Sequence, residues 1–130
     1  MIHYASPTPS QEFLTSLYDY DPTIKTYPLV FKQGGRGRRK GDRPGKRTIQ
    51  SQRNGYEQIQ LGIKSVDYFR DSRQHWYTMS RIIWKFHYGT EPTGVIDHIN
   101  GDSTDNRIEN LQDITQKQNT NKKAGEVIAA

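Results

Sequence analysis

Cysteine is missing from the sequence, so neither a disulfide framework nor a thiolate metal site is open to it. No apolar run approaches the roughly 18 residues that a membrane-crossing helix needs. Residues 1–10 lack the basic start and apolar stretch of a secretory signal, and these features are compatible with a cytosolic protein. Hydrophobic residues are also scarce, at 32% of 130 positions, which for a chain of one-domain length argues against a large continuous core. A compact half with a looser remainder is expected, and a bound metal is one means of holding such a half together. Aromatic residues are not in short supply. Eight Tyr, two Trp and four Phe argue against a wholly disordered chain.

Charge is unevenly spread. The formal net charge is +5, which favours polyanionic partners, nucleic acid first and an anionic membrane surface second. Residues 32–47 hold eight basic residues (Lys32, Arg36, Arg38, Arg39, Lys40, Arg43, Lys46 and Arg47) against Asp42 alone, so this stretch is +7 and the rest of the chain −2. Five glycines interleave with these charges in residues 33–47 and almost nothing apolar does. The segment therefore reads as a flexible basic arm without a core face. Charge runs are commonly no more than solvated faces, but this concentration suits phosphate contact, which supplies affinity rather than sequence choice.

Apolar periodicity places the elements. Ser10 is positioned to cap a short helix with Phe13, Leu14 and Leu17 at helical spacing, and residues 19–22, ending in Pro22, read as its stop. Residues 26–32 read as a short strand that Pro28 confines to an edge. Asn54-Gly55 signals a turn, and Ile59, Leu61 and Ile63 alternate behind it as a half-buried strand. Residues 64–77 read as a second strand or a loop. Residues 78–88 give the clearest helix, with Met79, Ile82, Ile83 and Phe86 on one face and Gly89 at the C-terminal cap. A strand is expected from Val95 and another over residues 111–114, separated by a polar loop. Thr115 with Gln118 resembles a capping box opening a last short helix, and residues 124–130 read as a frayed tail.

The chemistry-bearing residues sit in this last third. A strand ending in Asp97-His98, a loop, a returning strand and a helix with Asn119 in its first turns bring the strand end near the helix start. A carboxylate and an amide oxygen can then face each other across a gap of ionic size, and such hard oxygen donors suit Mg²⁺ or Mn²⁺. Taken alone, an Asp-His pair reads more readily as a capped turn, and Asn110 and Asn119 are ordinary loop and helix-start residues. Asp105, Asn106 and Arg107 read as a structural loop network. Asp102 reads as a solvated turn, His75 and His87 as packed or surface histidines, and Trp84 as core or interface.

The pieces Arg81-Ile82-Ile83-Trp84, Gly89-Thr90-Glu91-Pro92, Ile96-Asp97-His98-Ile99-Asn100-Gly101, Asp105-Asn106-Arg107-Ile108-Glu109-Asn110-Leu111 and Thr115 through Asn119 occur in this order. With these separations the stretch resembles the HNH endonucleases of the ββα-metal type found in phage genomes and among intron-homing and nicking enzymes. A looser likeness runs back to residue 13. The resemblance implies an α+β fold, with an HNH nuclease core over residues 78–123. It is preceded by a lead-in (1–9) and a β-rich basic DNA-holding region (10–77), and followed by a tail (124–130). It implies Asp97 and Asn119 as ligands of one Mg²⁺ or Mn²⁺ ion, His98 as general base, and Asn110 as the residue that holds the loop and orients the histidine. An imidazole suits that role because its ordinary pKa of about 6.5 leaves it largely neutral near pH 7. Double-stranded DNA is the expected substrate, held by Arg36, Arg38, Arg39, Lys40, Arg43, Lys46 and Arg47. No small-molecule cofactor and no membrane partner are expected, and the likeness suggests a phage-encoded protein acting in the bacterial cytoplasm. Many relatives carry His where this chain has Ser80. The rival readings are a DNA-binding protein on an HNH scaffold that has lost activity, for which Ser80 speaks, and a basic RNA-binding module.

Overall fold

The computed structural model describes residues 8–35, 37–49, 57–64 and 74–128. Helix α1 (Gln11–Leu17) is capped by Ser10, whose hydroxyl accepts from the Phe13 N–H. Strand β1 (Tyr18–Tyr20) follows at once and pairs antiparallel with β2 (Leu29–Phe31). The stop expected over residues 19–22 is thus partly strand, because three residues are too few for alternation to register in a sequence. Strands β3 (Lys46–Ile49), β4 (Glu57–Lys64) and β5 (Gln74–Thr78) form an antiparallel sheet with β4 in the middle. The Asn54-Gly55 turn lies outside the described residues. On β4, Ile59, Leu61 and Ile63 all face inward and are buried, as their period of two requires.

Helix α2 (Met79–Tyr88) covers this sheet with Met79, Ile82 and Ile83. Gly89 ends it in the left-handed region at φ 77°, donating its N–H to the Lys85 carbonyl. The Gln11 side chain of α1 caps the same helix end, donating to the carbonyls of Phe86 (3.0 Å) and His87 (3.3 Å). The buried core joins Leu14, Tyr18 and Leu29 from the first hairpin region to Ile59, Leu61 and Ile63 of the sheet, to Ile82 and Ile83 of α2, and to Leu111. A single apolar cluster therefore draws on both halves of the chain, where the composition suggested a compact half and a loose one.

The last unit is a two-stranded hairpin, β6 (Val95–His98) with β7 (Leu111–Ile114), followed by α3 (Gln116–Asn121). Thr115 and Gln118 make the reciprocal capping box that their spacing suggests. The entry to β6 requires glycine, since a Cβ on Gly94 would collide with the Ile114 carbonyl. Asp113 fixes the same turn by accepting from the N–H groups of Thr93 and Gly94, both at 2.7 Å. A short 3₁₀ turn (Ile108–Asn110) closes the connecting loop.

Two segments are better held than the sequence suggests. The basic segment, expected as a free arm, is tied to β2: Phe31 donates to the Asp42 carbonyl and Gly41 to the Phe31 carbonyl. Within it, the Asp42 carboxylate accepts from the Arg39 N–H at 2.8 Å. The tail, expected to fray, is pinned where Ile128 donates to the Gln112 side chain at 2.8 Å and where Gln112 donates to the Glu126 carbonyl at 2.9 Å. In both, side-chain acceptors satisfy backbone that composition alone presents as solvated. Among the described residues, no helix is long and apolar enough to cross a membrane.

Candidate active site

Asp97 and His98 are the last two residues of β6. Successive side chains alternate along a strand, and here they meet different partners. Asp97 stands opposite Gln112 in the register, and Gln112 Nε2 donates to its Oδ2 at 2.8 Å. Lys122, just past α3, brings Nζ to within 3.2 Å of the same oxygen, with its own side chain only 4% exposed. Lys122 also donates to the Ile99 carbonyl at 3.0 Å. One carboxylate oxygen of Asp97 is thus fully engaged, while among the described residues Oδ1 has no hydrogen-bond partner.

Asn119 lies on α3, which packs against β6. It is half-buried, and its side-chain amide likewise has no partner among the described residues. The donors present, one carboxylate oxygen and one amide oxygen on adjoining elements, fit a hard divalent cation that keeps part of its water shell. The positive Lys122 beside Oδ2 leaves the outer oxygen as the available ligand atom.

His98 has a different set of neighbours. Its Nε2 lies 2.9 Å from Asn106 Oδ1, and the residue lines a cavity of about 410 Å³ that Ser80, Arg81, Glu91 and Ile96 also border. Arg81 and Glu91 pair across this cavity at 3.1 Å. Ser80 is buried and sits on its wall.

Asn110 is buried and does not reach the imidazole. Its Oδ1 accepts from the Asn100 N–H (3.0 Å), and its Nδ2 donates to Asn100 Oδ1 (3.0 Å) and to the Asp105 carbonyl (2.9 Å). The residue therefore staples the two ends of the loop. The contact to His98 comes instead from Asn106.

Asp105 and Arg107 form the loop network expected of them. Arg107 forks onto both oxygens of Asp105, at 2.8 Å and 2.7 Å, and Asn100 Nδ2 donates to the same carboxylate at 2.9 Å. The Arg107 hydrogen bonds hold the Asp105 carboxyl below the ordinary carboxylate range against the opposing effect of burial. Asp102 closes a satisfied turn, accepting from the Thr104 N–H and hydroxyl at 2.9 Å and 2.6 Å. The loop is also bolted to the β1–β2 hairpin. Ile108 donates to the Tyr20 hydroxyl at 3.0 Å, and Asn106 donates to the Lys25 carbonyl at 2.9 Å.

The basic residues divide by environment. Arg43 faces inward, donating to the carbonyls of Asp21 (2.8 Å) and Tyr27 (2.6 Å) and pairing with the Asp21 carboxylate (2.9 Å). These partners occupy the side chain in holding the hairpin turn. Arg38 lies over the Phe31 ring and Lys46 over the Trp76 ring, at 4.6 Å and 5.1 Å. Arg47 pairs with Glu57 at 2.7 Å while remaining about half exposed. Arg39 and Lys40 are exposed, and Arg36 lies outside the described residues. His87 packs edge-on to Tyr20 at 4.4 Å, and burial lowers its pKa. Trp84 packs on Tyr88 at 4.4 Å.

Reasoning from the sequence missed Asn106 as a partner of His98, and Gln112 and Lys122 as partners of Asp97. Asn106 falls inside a motif piece, but nothing in the spacing says that it touches the histidine. Lys122 reads as one more surface lysine.

Because the folded-state pKa of Asp105 is depressed, its contribution to stability is fully present above the ordinary carboxylate value of about 4 and is lost as pH falls through the lower folded value. Asp105→Asn is expected to lower stability at neutral pH by about 1–3 kcal/mol and to flatten the loss of stability on acidification. Denaturant unfolding at neutral and acidic pH reads both; equal acid sensitivity of parent and variant would contradict the assignment.

Residues 77–121, from the end of β5 through α3, match the family described as HNH endonuclease. No curated protein and no solved structure matches the chain. The α+β architecture and the β6–β7–α3 order agree with a ββα-metal core, and the matched segment is similar to HNH-type endonuclease domains.

Proposed function

We propose that the HNH-type segment makes this chain a divalent-metal-dependent endonuclease that nicks or cuts double-stranded DNA. Asp97 and Asn119 hold the ion, and His98 is the general base. The observation that carries this reading is the end of β6. There a carboxylate with one engaged and one open oxygen adjoins a half-buried imidazole on a cavity wall.

The chain's own residues then divide the work. His98 removes a proton from a water molecule, whose oxygen forms a bond to phosphorus while the bond from phosphorus to the 3′ oxygen breaks in line. The departing oxygen takes a proton from solvent, leaving 5′-phosphate and 3′-hydroxyl ends. When bound, Mg²⁺ or Mn²⁺ neutralises charge on the phosphate and on the departing oxygen. Asn110 contributes indirectly, by fixing the loop between β6 and β7. Since the described residues of each chain hold one such centre, a nick is the simplest event. The buried Ser80 on the cavity wall is compatible with substrate entering beside His98.

Affinity for the duplex comes from the β2–β3 loop and the start of β3. Arg38, Arg39, Lys40, Lys46 and Arg47 carry this role in the described residues, with Arg36 as a further candidate. Arg43 is a less available member of the set because its guanidinium is held by the hairpin. A phage origin and a bacterial cytoplasmic setting belong to the same reading.

Supercoiled plasmid incubated with the protein and Mg²⁺ or Mn²⁺ should be nicked, and chelator should stop it. His98→Ala should slow cleavage by roughly 10²–10⁴-fold while DNA binding is kept. Unchanged cleavage by His98→Ala would overturn the base assignment. Binding without chelator-sensitive cleavage by the parent would favour the inactive-scaffold reading, and preferential binding and cleavage of RNA would favour the RNA module.

Replacing Arg39 and Lys40 together by Ala should weaken duplex binding and reduce the slope of log affinity against log salt by about 1–2, since each phosphate contact contributes close to 0.9. An unchanged slope would remove these two residues from the interface.

A further inference from the structure

Asn106 is 1% exposed, and its side-chain amide stands between two groups of opposite demand. Nδ2 points to the Thr26 carbonyl at 3.4 Å, while Oδ1 points to His98 Nε2 at 2.9 Å. Its backbone is fixed to the same hairpin by the hydrogen bond to the Lys25 carbonyl. A peptide carbonyl has no proton to give, so the nitrogen end of the amide must face Thr26. The reverse orientation would set two acceptor oxygens against each other in a buried site. The oxygen end therefore faces the imidazole, and an amide oxygen only accepts. The proton of this hydrogen bond must come from His98.

We propose that Asn106 is a positioning residue that locks neutral His98 in its Nε2–H tautomer, leaving Nδ1 as the nitrogen that takes the proton from water. In a neutral imidazole one nitrogen carries the proton and the other the lone pair, and the hydrogen bond made by one decides the state of the other. The determinant lies far away in sequence. The Thr26 carbonyl at the turn before β2 orients the Asn106 amide, and the amide orients the ring. Asn110, the residue that the family resemblance assigns to orienting the histidine, acts on the loop backbone instead. The β1–β2 hairpin is therefore part of the catalytic apparatus rather than only a scaffold for the basic loop.

This inference rests on the reading of His98 as general base, and its test separates the two. Imidazole ¹⁵N resonances of the full-length, metal-free protein, recorded where its histidines are neutral and assigned by the signal missing in His98→Ala, report the tautomer without any cleavage. The expected spectrum has a protonated Nε2 and a bare Nδ1 for His98. In Asn106→Leu the two tautomers should mix and the ring lose its fixed orientation, so kcat should fall, by at most the ~10⁴-fold seen when a catalytic histidine is left wholly in the wrong tautomer, with DNA affinity kept. Asn106→Asp keeps the acceptor toward His98 and loses the donor toward Thr26, so the folded variant should be less stable but keep Nε2 protonated and retain more kcat than Asn106→Leu. A residue with a merely structural role would not show that split between the two variants.

A protonated Nδ1 in the parent overturns the proposal whatever the variants do. So does a single Nε2–H tautomer that persists in folded Asn106→Leu. If Asn106→Leu does not fold, the parent spectrum together with Asn106→Asp decides: Nε2–H in both supports the lock, and loss of it in Asn106→Asp refutes it. If instead His98→Ala cleaves as well as the parent, the base reading fails while the tautomer result stands by itself.

Discussion

The hydrogen bonds that Asn100, Asp105 and Asn110 share are the interaction on which the rest of the site depends. A loop of polar residues between two short strands has no apolar face with which to hold a shape. Burying Asp105, Asn106 and Asn110 costs free energy unless each polar atom finds a partner. Asn110 joins both ends of the loop to each other, Arg107 forks onto Asp105, and Asn106 carries the remaining demand outward to His98 and to the first hairpin. Because these groups satisfy one another, the loop has one low-energy arrangement. That arrangement fixes where β6 ends and hence where Asp97 and His98 project.

Seen this way, the rest of the fold supplies supports. The core of α1, α2 and the three-stranded sheet fixes the hairpin β1–β2 on one side of the loop. The tail after α3 closes the other side: Lys122 reaches the Asp97 carboxylate, and Gln112 of β7 bridges that carboxylate to the Glu126 carbonyl. Asp97 is thereby held by a cation and an amide on one oxygen. Lys122 and Gln112 engage Oδ2, while the second oxygen remains for a ligand. Preorganisation of this sort is what a hydrolytic centre requires, since groups already in place need no reorganisation during reaction.

Much of this was legible in the sequence, and the exceptions have physical causes. Helix α2 and strand β4 were readable because apolar periodicity marks elements that face a core, as Ile82, Ile83, Ile59 and Leu61 do. The caps of α1 and α3 were readable because Ser10 and Thr115 act on backbone a few residues away. Strand β1 was not, being only three residues long. The anchoring of the basic loop and of the tail was hidden because it depends on contacts to β2 and to Gln112, which local composition does not encode. Within the site, the motif brought out Asp97, His98, Asn110 and Asn119. The partners of Asp97 and His98 are residues whose types are common everywhere: an asparagine, a glutamine and a lysine. Only the three-dimensional arrangement distinguishes these from ordinary surface residues.

The central claim is that Asp97 and Asn119 jointly hold one divalent ion at the end of β6. A crystal of the protein grown with Mn²⁺, measured for anomalous scattering, tests it directly. The account predicts one strong peak bonded to the open oxygen of Asp97 and to the Asn119 amide oxygen, at roughly the 2.0–2.6 Å of hard-cation coordination to oxygen. A manganese peak elsewhere on the chain, with none between these two residues, would contradict it.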